Sequence, residues 1–235
     1  MKHLWFLLPL VALLLVGCGA TRQGGVEAVC DCRTAVQVPD RAFRTFLLDS
    51  GYVVKSGWQR VKPTAKSCSL TTLECYSRGI HSLEGIGMFP QLTSLTCSDN
   101  PIGELDLGVL PRLESLYALD VPLRRFDVGE RSRLKVVQLS HTCLDTLDLA
   151  PMPDMESLLI IFSPLTSIDL TPCKQLTTLY IRGTQIEEVD LSGNPAMREL
   201  HALDTPLRTL IVSQKQYDGD VRASIPDTVR VVVRQ

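Results

Sequence analysis

Apolar residues in this chain recur with a period that neither a helix nor a strand can produce. In LTSLTCSDNPIGELDL, residues 92–107, they fall at intervals of three, two, five, three and two. An amphipathic helix repeats every 3.6 residues and a half-buried strand every two, so the mixture means a short strand, a tight turn and a second segment in succession. The same pattern starts again at Leu113, Leu134, Met155, Leu176 and Met197, each 21 residues after the last, and an earlier copy starts at Leu70, 22 residues before Leu92. Seven copies therefore run without a break over residues 70–212. Such a unit cannot bury its apolar face alone, so the expected architecture is a solenoid whose coils stack on one another.

Within each copy the second and third apolar positions, such as Leu95 and Cys97 or Leu179 and Ile181, place a short strand with alternating side chains. Stacked coils then form a parallel sheet. Proline follows the strand at Pro101, Pro122, Pro164 and Pro206, and the next apolar residue returns the chain to the core. The pattern LxxLxCxxN of residues 92–100, repeated with this period, resembles the leucine-rich repeat, in particular the short bacterial form of internalin-like proteins. The resemblance covers residues 70–212. It implies an α/β-type repeat solenoid, a right-handed coil with the parallel β-sheet on its concave face.

In that family an asparagine ladder bonds the backbone of each turn. Here the residue is Asn100 in one coil only; Thr142, Ser163, Thr184 and Thr205 replace it with hydroxyls that can bond locally, whereas Val121 and Arg78 cannot act in the same way. Cys75 and Cys97 share one inward position and resemble the start of the stacked cysteines of some internalin-like repeats. Ala118, Leu139, Ile160, Ile181 and Ala202 continue that column, which favours buried thiols over a disulfide. Asp106, Asp127, Asp148, Asp169 and Asp190 form a second column. No clustered Asp/Asn/Gly loop accompanies them, so local hydrogen bonds to backbone are expected rather than calcium. No metal and no cofactor is expected.

The ends differ from the repeats. The segment MKHLWFLLPLVALLLVGC carries Lys2 before an apolar run, residues 4–16, too short to span a bilayer, and reads as a secretory signal. Its ending, Leu15-Val16-Gly17-Cys18, resembles the lipobox of bacterial lipoproteins. That resemblance implies lipidation of Cys18 as the first mature residue, and Gly19 in place of aspartate points to the outer membrane. Residues 1–17 are thus the signal, 18–35 a small, polar, glycine-bearing tether, 36–69 an N-terminal cap, 70–212 the repeats and 213–235 a C-terminal cap. Asp40 before Phe43, Phe46 and Leu47 reads as a capped helix closing the exposed end of the stack. VRVVVRQ at the other end reads as an edge strand. A disulfide of Cys68 with Cys32 or Cys30 is expected in an oxidising compartment, with zinc ligation by these and Cys75 as the lesser alternative. Cys143 and Cys173 are expected as buried thiols.

Composition excludes nucleic acid as a partner: the formal net charge is -2 and no basic stripe is present. No nucleophile is paired with a histidine by a local motif and no glycine-rich phosphate loop follows a strand, so an enzyme is not expected. The outward residues of the strands carry instead an unusual amount of apolar and aromatic surface: Tyr76, Tyr117, Leu119, Leu159, Ile161, Phe162 and Tyr180, with His141, Arg182 and His201 beside them. Apolar surface of this kind marks interaction sites. The sequence therefore reads as an envelope lipoprotein, surface-exposed or periplasmic, that binds a protein or peptide on its concave face; the resemblance adds adhesion as one such role. A structural subunit of an envelope assembly and a glycan-binding module are the alternatives.

Overall fold

The computed structural model describes residues 33–130 and 132–234. The signal, Cys18, Cys30 and Cys32 lie outside the described residues. The helix Arg41–Asp49 opens the cap. Asp40 stands at its N-terminus and accepts a hydrogen bond from the Phe43 N–H at 2.7 Å. Phe43 and Leu47, four apart on one face, are both buried. The other carboxylate oxygen of Asp40 accepts from the His81 N–H at 3.1 Å, which ties the helix to the first coil. An element that the apolar pattern did not foretell completes the cap: Val36–Gln37, Arg60–Pro63 and Val53–Gly57 form a small antiparallel sheet in that order.

The repeats build an eight-stranded parallel sheet. Its strands are Thr72–Glu74, Ser94–Thr96, Ser115–Ala118, Val136–Ser140, Ser157–Ile161, Thr178–Tyr180, Glu199–His201 and Arg222–Ser224. Register is constant, Ser94 facing Ser115, Val136 and Ser157 in turn, so the repeat phase of the sequence is the strand register of the sheet. The last strand carries the stack one coil beyond the seven repeats. On the opposite wall the second segments pair where geometry allows, as Glu104–Asp106 with Arg125–Asp127 and as Glu188–Asp190, Thr209–Ser213 and Arg230–Arg234 in a three-stranded sheet with the last strand at its edge.

Between the walls lies one continuous core. Leu73, Leu95, Leu116, Leu158, Leu179 and Leu200 are fully or almost fully inaccessible, each contributing about 1.5–3 kcal/mol by leaving water. Cys75 and Cys97 sit in the same core as free thiols. Burial pushes the Cys75 thiol up to about 12, with the nearby Arg78 partly opposing it, and raises Cys97 further. Cys68 is disulfide-bonded, which together with the free Cys75 removes the zinc alternative; the pairing expected with Cys30 or Cys32 lies outside the described residues. Cys143 corrects its expectation: it is exposed, because its position falls after the inward Thr142 on the turn rather than in the core, whereas Cys173 is buried. Alkylation of the native chain at mildly alkaline pH should therefore label Cys143 and leave Cys75, Cys97 and Cys173 unlabelled until the chain unfolds, as peptide mass mapping would show. Labelling of Cys97 in the native state would contradict the core described here.

Two polar ladders hold the turns. Asn100 is buried; its amide nitrogen donates to the Cys75 and Cys97 carbonyls, both at 2.9 Å, and its oxygen accepts from the Ile80 and Arg78 N–H groups at 3.0 and 3.1 Å. Hydroxyls take over in later coils, Thr184 donating to Ile181 and Thr205 to Ala202, while Val121 is simply buried. A second ladder went unread in the sequence: Asn194 donates to the Leu170 and Cys173 carbonyls, and Gln216 to those of Leu191 and Asn194. Each aspartate of the Asp106 column accepts from the backbone N–H two residues on, at Gly108, Gly129, Ala150, Thr171 and Ser192. That recurring local turn accounts for the column. At Asp169 the Thr171 hydroxyl and N–H hold the carboxyl below its usual range.

Candidate partner-binding face

The outward side chains of the long sheet lie in columns, because register is constant. One column runs Glu74, Thr96, Tyr117, Gln138, Leu159, Tyr180, His201 and the next Tyr76, Ser98, Leu119, Ser140, Ile161, Arg182, Leu203. Tyr76 and Leu203 are exposed, as is Arg182, whereas Tyr117, Leu119, Leu159, Ile161, Tyr180 and His201 are half-buried against neighbours across the coils. Ser140 is turned in rather than out: its hydroxyl accepts from the Asp120 N–H at 3.0 Å.

A third column borders these. Ser77, Asp99, Asp120, His141, Phe162, Gly183 and Asp204 all have left-handed backbone, with φ from 51° to 70°. The chain needs this conformation to leave the strand and turn back to the core at the same point of every coil. Asp and Gly adopt it readily, but an aromatic residue does so at a cost of about 1–2 kcal/mol. The N–H groups of Asp99, His141, Phe162 and Gly183 each donate to a carbonyl of the next coil, so the column is fixed to its neighbours.

Side chains extend that ridge into a continuous ladder. Asp120 Oδ1 meets His141 Nδ1 at 2.7 Å; the His141 ring stacks on Phe162 with centroids 5.0 Å apart and planes 20° apart. Arg182 places its guanidinium 5.8 Å from the Phe162 ring and pairs with Asp204 at 2.7 Å. Phe162 also lies over Gly183, where a Cβ would stand 2.5 Å from its Cδ1. Phe162 is therefore held from both sides and still 44% exposed. Gly183→Ala should displace the ring without removing it, visible as loss of the His141–Phe162 ring-current shift in an NMR spectrum; an unchanged shift would mean that the ring is not seated as described.

A further cluster lies in the two coils that carry Arg182 and Asp204. The Tyr180 and His201 rings stack at 4.1 Å and 15°, and Glu199 accepts from His201 Nε2 at 2.8 Å. The His201 hydrogen bond holds the Glu199 carboxyl below its usual range, with Tyr180 adding to it. Sequence reading reached His141, Phe162, Tyr180, Arg182 and His201 but missed Asp120, Gly183, Glu199 and Asp204, which fix them. Asp120, Gly183 and Asp204 share the phase of His141 and Phe162 at spacing 21, but acid, imidazole, aromatic and glycine alternate along that column and no common chemistry marks it, whereas Glu199 lies two residues before His201 on the same strand.

No protein-family model and no curated protein matches the sequence. Solved structures do match. An internalin C2 from Listeria monocytogenes superposes with a TM-score of 0.56 at 20% identity, over 83% of this chain and 94% of that one. A leucine-rich-repeat protein of Leptospira interrogans gives 0.55 at 15% identity, over 69% of this chain and 42% of that one, so this chain spans less than half of its length. Human trophoblast glycoprotein gives 0.50 at 16% identity, over 72% and 81%. Identity this low speaks for architecture alone, and in architecture the chain is a parallel β-solenoid of about eight turns with the leucine-rich-repeat fold of internalin-like proteins.

Proposed function

We propose that the protein is a bacterial envelope lipoprotein, tethered through Cys18 and carried to the outer membrane, whose long sheet binds a protein or peptide partner. The observation that carries the binding reading is Phe162: an aromatic ring kept in a costly backbone conformation, braced by His141, Arg182 and Gly183, and left open to solvent. Pre-organised aromatic anchors lose little freedom on binding, which is why they dominate interfaces. Around it the outward positions of four neighbouring strands, Ser115, Tyr117, Val136, Gln138, Ser157, Leu159, Thr178 and Tyr180, include no charge. Glycan binding is supported less well, because Tyr180 already gives one ring face to His201. The lipidation reading rests on the Leu15-Val16-Gly17-Cys18 ending, and adhesion on the likeness to internalin-like repeats.

Replacement of Leu159, Ile161 and Phe162 by serine should abolish partner capture while leaving the sheet signal in circular dichroism intact. Undiminished capture would move the site off this face. Protease shaving of intact cells reports the location: peptides from residues 70–212 released before the outer membrane is breached mean a partner outside the cell, and release only afterwards means a partner within the envelope.

A further inference from the structure

Charge is distributed unevenly along this chain. Residues 36–69, the cap, carry six Lys and Arg against two Asp, whereas residues 70–235 carry fifteen Lys and Arg against twenty-two Asp and Glu. A basic cap thus stands at one end of an acidic solenoid. Its antiparallel hairpin, Val53–Gly57 and Arg60–Pro63, turns at Trp58, the most exposed of the large hydrophobic residues described, at 84%. Val54, also exposed, faces Lys62 across the pair and Gly57 faces Arg60, whereas Lys55, exposed too, is in register with Val61 and stands on the other face, so that both faces of the hairpin carry cations. None of these apolar side chains serves the core. The strand Val36–Gln37, through which the chain enters the fold from the N-terminal side, pairs directly with Arg60 and Val61.

We propose that this hairpin docks on an anionic lipid surface, with Trp58 and Val54 seated at the interface and Lys55, Arg60 and Lys62 against the headgroups. Tryptophan is favoured at that boundary because its ring is apolar and its N–H is wet, and juxtamembrane cations are drawn to anionic headgroups. A zwitterionic surface offers the ring a place but no partner for the cations. Docking would hold the basic cap down and leave the acidic repeats, with the Phe162 face, projecting away from the membrane. The inference uses the proposed tether only to bring the hairpin near lipid.

The test uses the protein extracted from the membranes of cells expressing the full-length gene with Trp5→Phe, so that Trp58 is its sole tryptophan whether or not residues 1–17 have been removed. The chain is mixed with excess vesicles of phosphatidylcholine, or of equimolar phosphatidylcholine and phosphatidylglycerol. Sedimentation reports attachment of the chain; tryptophan emission and its quenching by brominated lipid report residue 58 itself. With anionic vesicles the emission should shift to the blue and be quenched, and high salt should reverse both. Lys55→Gln and Lys62→Gln should each lower the docked-to-free ratio about fivefold, with sedimentation kept by the tether. Trp58→Ser, its fold checked by circular dichroism, should lose the signal. Sedimentation with water-like, unquenched emission would overturn docking and leave the tether standing. Failure to sediment with anionic vesicles would overturn both. A blue shift without quenching by brominated lipid would assign the hairpin to a protein contact and overturn the lipid reading.

Discussion

Replacing Asn100 with alanine lowers the thermal midpoint by about 10 °C or more, the largest stability effect expected from one polar residue of this chain. The change leaves the buried carbonyls of Cys75 and Cys97 and the Ile80 N–H without partners, in a place closed to water. Each orphaned group costs about 1–3 kcal/mol, which sums to roughly 3–9 kcal/mol, and a domain of this size loses about 2–4 °C per kcal/mol. Because Asn100 bonds the first coil to the second, the loss also loosens the cap from the stack. Asn100→Asp should be at least as harmful, since it keeps the shape but removes two donors and buries a charge. A midpoint within two or three degrees of the parent in differential scanning calorimetry would show that water or neighbouring groups satisfy the turn instead.

Phe162→Gly should have the opposite profile. Glycine relieves about 1–2 kcal/mol of left-handed strain, and loss of a half-exposed ring gives up a similar amount of packing, so the midpoint should move by only a few degrees. Gly183 already occupies this phase in the next coil and shows that the turn accepts it. Partner affinity, by contrast, should fall by about thirtyfold or more, the effect of removing a central aromatic anchor worth at least about 2 kcal/mol. Titration calorimetry with the captured partner separates the two quantities. Retained affinity in a stable variant would strip Phe162 of its role, and a large loss of stability would make the ring part of the core rather than of a surface.

The contrast between these residues also explains what could be read from the sequence. Inward positions were legible because burial selects apolar side chains, and selecting them every 21 residues imposes both the solenoid and its register. Asn100 was legible for a similar reason: few side chains can serve two carbonyls and two N–H groups in one turn. The ridge from Asp120 to Asp204 was not, since left-handed backbone is compatible with Asp, Gly, His and Phe alike once the turn is fixed by its neighbours. The last strand, Arg222–Ser224, was hidden because it follows Glu199–His201 after 23 residues rather than 21 and puts Ala223 where the other coils put leucine or valine. The cap hairpin lacked a signal for a related reason: in VVKSGWQRVK only Val53 and Val61 are buried, so no alternation spans both strands. Asn194 escaped notice because its column runs through Met152 and Cys173, with no common chemistry along it.

The most direct measurement is photo-crosslinking in living cells, with p-benzoylphenylalanine placed at residue 161 beside Phe162 and, as a control, at residue 148 on the far wall. The account predicts one defined protein or peptide adduct from position 161, absent from position 148 and lost when Phe162 is replaced by glycine. The same adducts from both positions, or an adduct at 161 indifferent to Phe162, would contradict a partner-binding site on the long sheet.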